Sequence, residues 1–315
     1  MNSEPHQVSQ RDRIARARQS LEGLCCGDAF GERFFISPEV AVSLIDQRSV
    51  PAPPWIFTDD TMMAISIVAT LEKCGEIDQD HLAMSFAKNY DSSRGYGPAM
   101  HNLLASIRQG NYWQKESQAL FAGQGSYGNG AAMRVAPLGA YFADDLAQVV
   151  CQAERSAVTT HSHAEAVAGA IAVAVAAALA WQCAASEKLS SANFLQKIWQ
   201  HTPRSAVRDG IQKAADLPVA ATMRDAVWAL GNGSLVTAQD TVPFALWSAA
   251  RNLDNYENAL WTTVSGLGDR DTTCAIVGGI VVMCSGIESI PAEWISCRES
   301  IPPHMLGSYQ ELRSI

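Results

Sequence analysis

Positive charge is in short supply in this chain: 23 Lys and Arg face 32 Asp and Glu, for a formal net charge of -9. Such a chain lacks the basic field that draws nucleic acid or an anionic membrane surface, and neither is expected as a partner. Patterned cysteine is also lacking. Eight cysteines occur without a CxxC pair or a regular spacing; Cys25 and Cys26 are adjacent and the rest stand singly in apolar stretches. That speaks against a disulfide framework and for buried thiols in a reducing cytoplasm. The first twenty residues, MNSEPHQVSQRDRIARARQS, hold no apolar core for a secretory signal. Sustained apolar–polar alternation, the mark of a half-buried strand, is missing. No period repeats at the length of known solenoids. The nearest thing to a membrane span is AEAVAGAIAVAVAAALAWQC at 164–183. It is mostly alanine, carries Glu165 and follows two histidines, so it reads as a core helix.

What is there is helical. Hydrophobic residues make up 48% of the 315 and charged ones 17%, a globular balance. Ile14, Ala17, Leu21 and Leu24 recur at helical spacing, and a second helix is predicted over 61–74 with Gly75 as its stop. Further helices are predicted at 78–88, 98–109, 131–141, 144–159, 163–184, 188–200, 204–215, 220–230, 241–250, 254–264 and 272–287. Linkers are short and no low-complexity boundary splits the chain. The expectation is one all-α domain over 13–315, preceded by a flexible polar arm, 1–12.

Polar residues gather where helices meet. PPWIFTDDTMMAI sets Asp59 and Asp60 between threonines ahead of an apolar helix, and GLGDRDTTCAIVGGI repeats the arrangement at Asp269, Asp271, Thr272 and Thr273. Either cluster alone reads as a helix cap, with Thr58 capping and the aspartates in the favourable field of the first turn. Two clusters together suggest more. Four converging carboxylates repel one another unless a cation sits between them, and Arg270 is almost the only local cation. Oxygen ligands without Cys/His spacing suit a hard ion, Mg²⁺, Mn²⁺ or Ca²⁺, and there are enough for two. A third unusual stretch, GQGSYGNGAAMR at 123–134, carries four glycines in front of a helix-favouring run. Glycine-rich backbone leading into a helix offers free N–H groups to an anion.

Taken in order, GDAFGERFF at 27–35, TDDT at 58–61, RGYG at 94–97, SYGNGAAMR at 126–134, TH at 160–161 and GDRDTTCAIVGGI at 268–280 resemble the ADP-ribosylglycohydrolase family over most of the chain. The resemblance implies a single-domain, all-α orthogonal helical bundle whose cleft holds a binuclear Mg²⁺ or Mn²⁺ centre. Thr58, Asp59, Asp60, Asp269, Asp271 and Thr272 are then the metal ligands. Where many relatives place a further metal-contacting Glu, seven residues after the Asp of the GDA motif, this chain has Phe35; Glu32 is the candidate substitute. Ser126, Gly128, Asn129 and Gly130 are expected at the diphosphate and adjoining ribose. Tyr127 is expected to stack on adenine with Phe121 as partner, and His161 to lie near the diphosphate. His163 is expected to be structural, Met62, Met63 and Met133 to be core, and Trp55 to wall the cleft.

The reaction so implied is hydrolysis of the glycosidic bond at C1 of the distal ribose, removing ADP-ribose from a modified protein. Asp59 or Asp60 is the candidate base. Asp91, just before RGYG, is placed to meet a guanidinium, which favours an arginine linkage over serine. The alternative function is immunity against an ADP-ribosyltransferase toxin, by occlusion as well as by hydrolysis, with the N-terminal arm as the contact.

Overall fold

Ser9 begins the first helix: its hydroxyl accepts the Asp12 N–H at 3.2 Å, and Gln10–Glu32 follows. The structure is a computed structural model that describes residues 8–184 and 189–305. Residues 1–7 of the expected arm lie outside the described residues, whereas Gln10–Asp12 are already helical.

Sixteen α-helices and three short 3₁₀ turns make up the described chain, with two isolated β-bridges and no strand among the described residues. The all-α class is therefore as expected. At the centre, Gln10–Glu32 lies along Arg270–Ser285, each helix's most extensive packing partner. Small residues let the backbones approach: a Cβ on Gly27 would stand 2.2 Å from the Cys274 carbonyl oxygen. Ala164–Ala184 packs against Arg270–Ser285, Ala136–Tyr141 and Leu146–Val158. This helix is long and apolar enough to cross a membrane, but 83% of its apolar window is buried inside the fold. A helix apolar all round belongs in a core, and here its partners are protein.

The predicted helix after TDDT runs Asp59–Cys74 and ends where expected, with Gly75 left-handed and its N–H on the Leu71 carbonyl. One segment departs from expectation. Instead of a helix over 131–141, a turn at Asn129–Ala131 precedes a helix confined to Ala136–Tyr141. Pro137 is the cause: it has no N–H to give and its ring clashes with the carbonyl four residues back, so it tolerates only a helix's first turn. Helices Pro38–Asp46, Trp113–Gly123 and Ala292–Cys297 carried no clear periodic signal; the first buries only Ala41 and the second only Trp113 and Ser117. None of the eight cysteines is in a disulfide, but Cys74 and Cys151 are exposed, against the expectation that the thiols are buried.

An aromatic cluster fixes the approach to TDDT. Phe30 stacks on Trp294 at 4.4 Å and meets Trp55 at 5.6 Å and Trp261 at 4.9 Å. Trp55 is fully buried there, with Nε1 donating to the Pro51 carbonyl at 2.9 Å. It braces the core three residues before Thr58 and does not wall the cleft. The indole is apolar apart from one N–H, and that N–H is satisfied inside.

Gly27→Ala tests the central helix contact. Over-packing backbone against backbone should cost about 1–3 kcal/mol, read by urea unfolding. Gly97→Ala, where a Cβ meets nothing within 4 Å, should stay within about 0.5 kcal/mol of the parent.

Candidate active site

The site is organised around a carboxylate near the C-terminal end of the first helix. Asp28 is fully buried. It accepts from the Thr58 N–H at 3.0 Å, the Thr58 hydroxyl at 2.9 Å, the Thr61 N–H at 3.1 Å and the Thr61 hydroxyl at 2.5 Å. A helix start leaves N–H groups without intrahelical partners, and its positive end favours a carboxylate. Asp28 meets both needs for Asp59–Cys74, beside Thr58, which is the N-cap as expected. Thr58 adds a long contact of its own, accepting from the Asp60 N–H at 3.4 Å.

Asp59 and Asp60 thereby face a cleft of about 640 Å³, and Asp269, Asp271 and Thr272 face the same cleft from the start of Arg270–Ser285. The two acidic clusters do meet. The Thr272 hydroxyl reaches Asp60 Oδ2 at 3.5 Å, the limit of hydrogen-bond range, across 212 residues of sequence. Asn129 ties in the glycine loop: its Nδ2 donates to Asp269 Oδ2 at 2.7 Å and to the Thr241 hydroxyl at 3.0 Å.

Packing these carboxylates together disfavours their charged forms. Burial and then the Asp28 charge push Asp59 up to about 8. Burial, then Asp28, Asp271 and Asp59, hold Asp60 well above the carboxylate range. Burial and Asp269 do the same to Asp271. Asp269 is raised by burial, against hydrogen bonds from its neighbours. Asp28 is raised by burial to about 6 in spite of its donors. The nearby basic residues are committed elsewhere. Arg134 donates to the Ser156 carbonyl and Thr160, and Arg270 lies over the Phe35 ring and donates to the Phe34 carbonyl.

This donor set fits a hard divalent cation. Oδ1 of Asp60 and Oδ1 of Asp271 are buried with no hydrogen-bond partner, and a buried carboxylate oxygen is costly to leave unmatched. Among the described residues, no group of three or more His, Cys, Asp and Glu side chains is placed to hold a metal ion by itself. The oxygen donors are split between two facing helix starts and include the Thr272 hydroxyl.

The glycine loop forms the neighbouring wall. Ser126, Tyr127, Gly128, Asn129 and Gly130 all line the cleft, as do Phe121 and His161. Gly130 has no room for a side chain, because a Cβ would stand 2.9 Å from His161 Nε2. Phe121, with φ +52, and Tyr127 are partly exposed, with rings 6.1 Å apart and tilted by 35°. His163 Nδ1 accepts the Glu165 N–H at 3.1 Å, and its ring meets that of Tyr127 edge-on at 5.4 Å.

Other residues are placed differently from expectation. The Thr58 hydroxyl is spent on Asp28 and Asp60 and does not line the cleft. Glu32 is half-buried and feels the charges of Asp28 and Asp269, again without lining the cleft. Asp91 is exposed and outside the cleft lining. Its Oδ1 accepts from the Ser93 N–H and hydroxyl at 3.0 and 2.7 Å, and its Oδ2 lies 3.6 Å from Arg94. An Asx turn and a local cation have claimed the carboxylate expected to read a guanidinium. Met63 and Met133 are buried, as expected, but they also line the cleft. Sequence reasoning missed Asp28, Tyr96–Met100 and Leu235–Thr237. An Asp inside the apolar run LCCGDAF was a usable signal for the first, and RGYG at 94–97 for Tyr96 and Gly97; Pro98–Met100 and Leu235–Thr237, without titratable groups, left none.

The raised carboxylates predict the pH behaviour of the metal-free protein. The folded chain binds protons at Asp59 that the unfolded chain releases near 3.8. The associated stability is therefore full at low pH and is lost as pH rises through about 8. In chelator, the melting temperature should fall between pH 5.5 and 8, and Mg²⁺ or Mn²⁺ should restore it most at pH 8. A melting temperature that rises over this window would contradict the carboxylate crowding.

Comparison with known proteins agrees with this geometry. A family model for ADP-ribosylglycohydrolase matches residues 9–313. The chain is similar to ADP-ribosylhydrolase ARH3 of Xenopus tropicalis, 29% identical over 89% of this chain and 90% of that protein. It is also similar to ARH3 of Homo sapiens, at 28% identity over 89% and 88%. ADP-ribosylarginine hydrolase Tri1 of Serratia proteamaculans is 23% identical over 94% of this chain and 78% of its own. A solved structure described as an ADP-ribosylglycohydrolase-related protein complex superposes with TM-score 0.64 at 23% identity, covering 92% of this chain and 94% of that one, which shows the fold. With a family match spanning nearly all of the chain, the protein belongs to the ADP-ribosylglycohydrolase family and is a glycosyl hydrolase.

Proposed function

We propose that the protein removes ADP-ribose from modified proteins by hydrolysing the glycosidic bond at C1 of the distal ribose. One observation carries the proposal: both acidic clusters and the glycine loop line a single cleft of about 640 Å³, large enough for a dinucleotide-sized ligand. Asp59, Asp60, Asp269, Asp271 and Thr272 would hold two Mg²⁺ or Mn²⁺ ions. Such ions supply Lewis-acid polarisation of ribose hydroxyls and water. The loop Ser126–Gly130 offers backbone N–H groups and Asn129 to the diphosphate and ribose, and Phe121 and Tyr127 offer ring faces to adenine. Carboxylates around the reacting carbon favour the positive charge of an oxocarbenium-like transition state. Asp59, the more exposed of its pair, is the base that takes the water proton. Eight cysteines without a disulfide among them support a reducing, cytoplasmic setting.

The acceptor linkage turns on Asp91. With that carboxylate held by Ser93 and Arg94, and Arg94 in turn paired with Glu299, the wall beside Asp59 is neutral: Gly95, Tyr96, Gly97, Pro98, Ala99 and Met100. A neutral wall suits a hydroxyl acceptor such as serine better than a guanidinium. Arginine, the linkage expected from Asp91, is the second reading, supported by the likeness to the ADP-ribosylarginine hydrolase of Serratia. Neutralisation of an ADP-ribosyltransferase toxin by occlusion would depend on the segment 1–12, much of which lies outside the described residues, so the cleft supports hydrolysis alone.

Asp60→Asn and Asp271→Asn should each lower ADP-ribose release by more than about 100-fold with the fold retained by circular dichroism. Full turnover in either variant would contradict the site. Serine-linked peptide should be cleaved faster than arginine-linked peptide; the reverse order would restore the arginine reading.

A further inference from the structure

Arg134 is fully buried, yet no carboxylate is hydrogen-bonded to it. Its guanidinium lies 4.4 Å from the Phe86 ring centroid and donates to the Ser156 carbonyl at 3.1 Å and to the Thr160 hydroxyl at 2.9 Å. Thr160, also fully buried, has its hydroxyl 2.7 Å from Nδ1 of His161. His161 in turn lines the cleft, with Nε2 beside Gly128 and Gly130.

Donor and acceptor chemistry leaves this chain one favourable direction. A guanidinium has only N–H groups to give, so Thr160 Oγ1 accepts from Arg134. The Thr160 hydroxyl proton, sealed from water, then needs an acceptor, and the partner beside it is His161 Nδ1. In a neutral imidazole whose Nδ1 accepts, Nε2 carries the hydrogen. The opposite arrangement would strand a buried hydroxyl proton and turn a lone pair towards the cleft. Burial and then the Arg134 charge hold His161 down to about 3, so the ring stays neutral.

We infer that Arg134 and Thr160 are positioning residues that lock His161 in the Nε2–H tautomer, so that it presents a fixed neutral donor to an anionic group of the substrate in the cleft. The functional consequence rests on the ADP-ribose reading above; the tautomer does not. The relay also accounts for a guanidinium buried at considerable cost, and for the small residues that let Nε2 approach the loop. A donor held by packing and a second layer of hydrogen bonds loses little freedom when the ligand arrives.

Nitrogen-15 spectra of the full chain labelled at histidine give the direct test, with His161 assigned by its loss in His161→Gln. The wild type should show Nε2 protonated and Nδ1 not; a protonated Nδ1 would overturn the inference whatever the enzyme hydrolyses. Thr160→Val should leave the ring in a mixture of tautomers. It should also weaken ADP-ribose binding by calorimetry, and raise KM, by about tenfold with kcat little changed. Thr160→Ser, which keeps the hydroxyl, should restore both. An unchanged tautomer and affinity in a folded Thr160→Val would refute the relay. An Nε2–H tautomer with no ADP-ribose binding in the wild type would preserve the relay and refute the substrate.

Discussion

The four hydrogen bonds that converge on Asp28 are the constraint from which the site follows. A carboxylate buried within a helix is costly unless saturated with donors, and the donors here all come from Thr58 and Thr61. The start of Asp59–Cys74 is therefore pinned to the first helix, and its two aspartates have only the cleft to face. The first helix is itself pressed against Arg270–Ser285 at Gly27 and Cys274, which brings the second acidic cluster to the same depth. Two clusters far apart in sequence thus share one cleft because each is fixed to the same central helix.

Stability and function pull in opposite directions at this point. The crowded aspartates oppose one another, and two of their oxygens are buried without a partner. A core chosen for stability alone would not hold such a group. The surrounding structure overcomes the repulsion by apolar packing, above all the cluster of Phe30, Trp55, Trp261 and Trp294 that braces the chain entering TDDT. The strain of assembling charge is met in advance by the scaffold, so that a ligand able to neutralise it binds to a prepared site.

What was legible in the sequence was local. TDDT, GDRDT and SYGNG each concentrate polar or glycine residues against an apolar background, and all three line the cleft. Most helix positions followed from periodicity; the misses were a helix that buries only Ala41, Pro38–Asp46, and the buried stretch before Ala136–Tyr141, where Pro137 overrides the pattern. Residues whose role depends on a distant partner were not legible. Trp55, enclosed by Phe30 and Trp294, is one such residue; Asp91 is held locally instead, by an Asx turn to Ser93 and by Arg94, which residue type alone does not announce. Leu235–Thr237 reach the cleft through a single β-bridge between Gly128 and Thr237, a pairing that no periodicity announces.

Everything above turns on the two acidic clusters acting as one divalent-cation site, and a crystal of the protein grown with Mn²⁺ and measured at an anomalous wavelength would locate such ions. Two strong anomalous peaks about 3.5–4 Å apart are expected, enclosed by Asp59, Asp60, Asp269, Asp271 and Thr272, with the oxygens of Asp60 and Asp271 that now lack partners turned onto the ions. Peaks elsewhere on the molecule, or none between the clusters at saturating Mn²⁺, would contradict it.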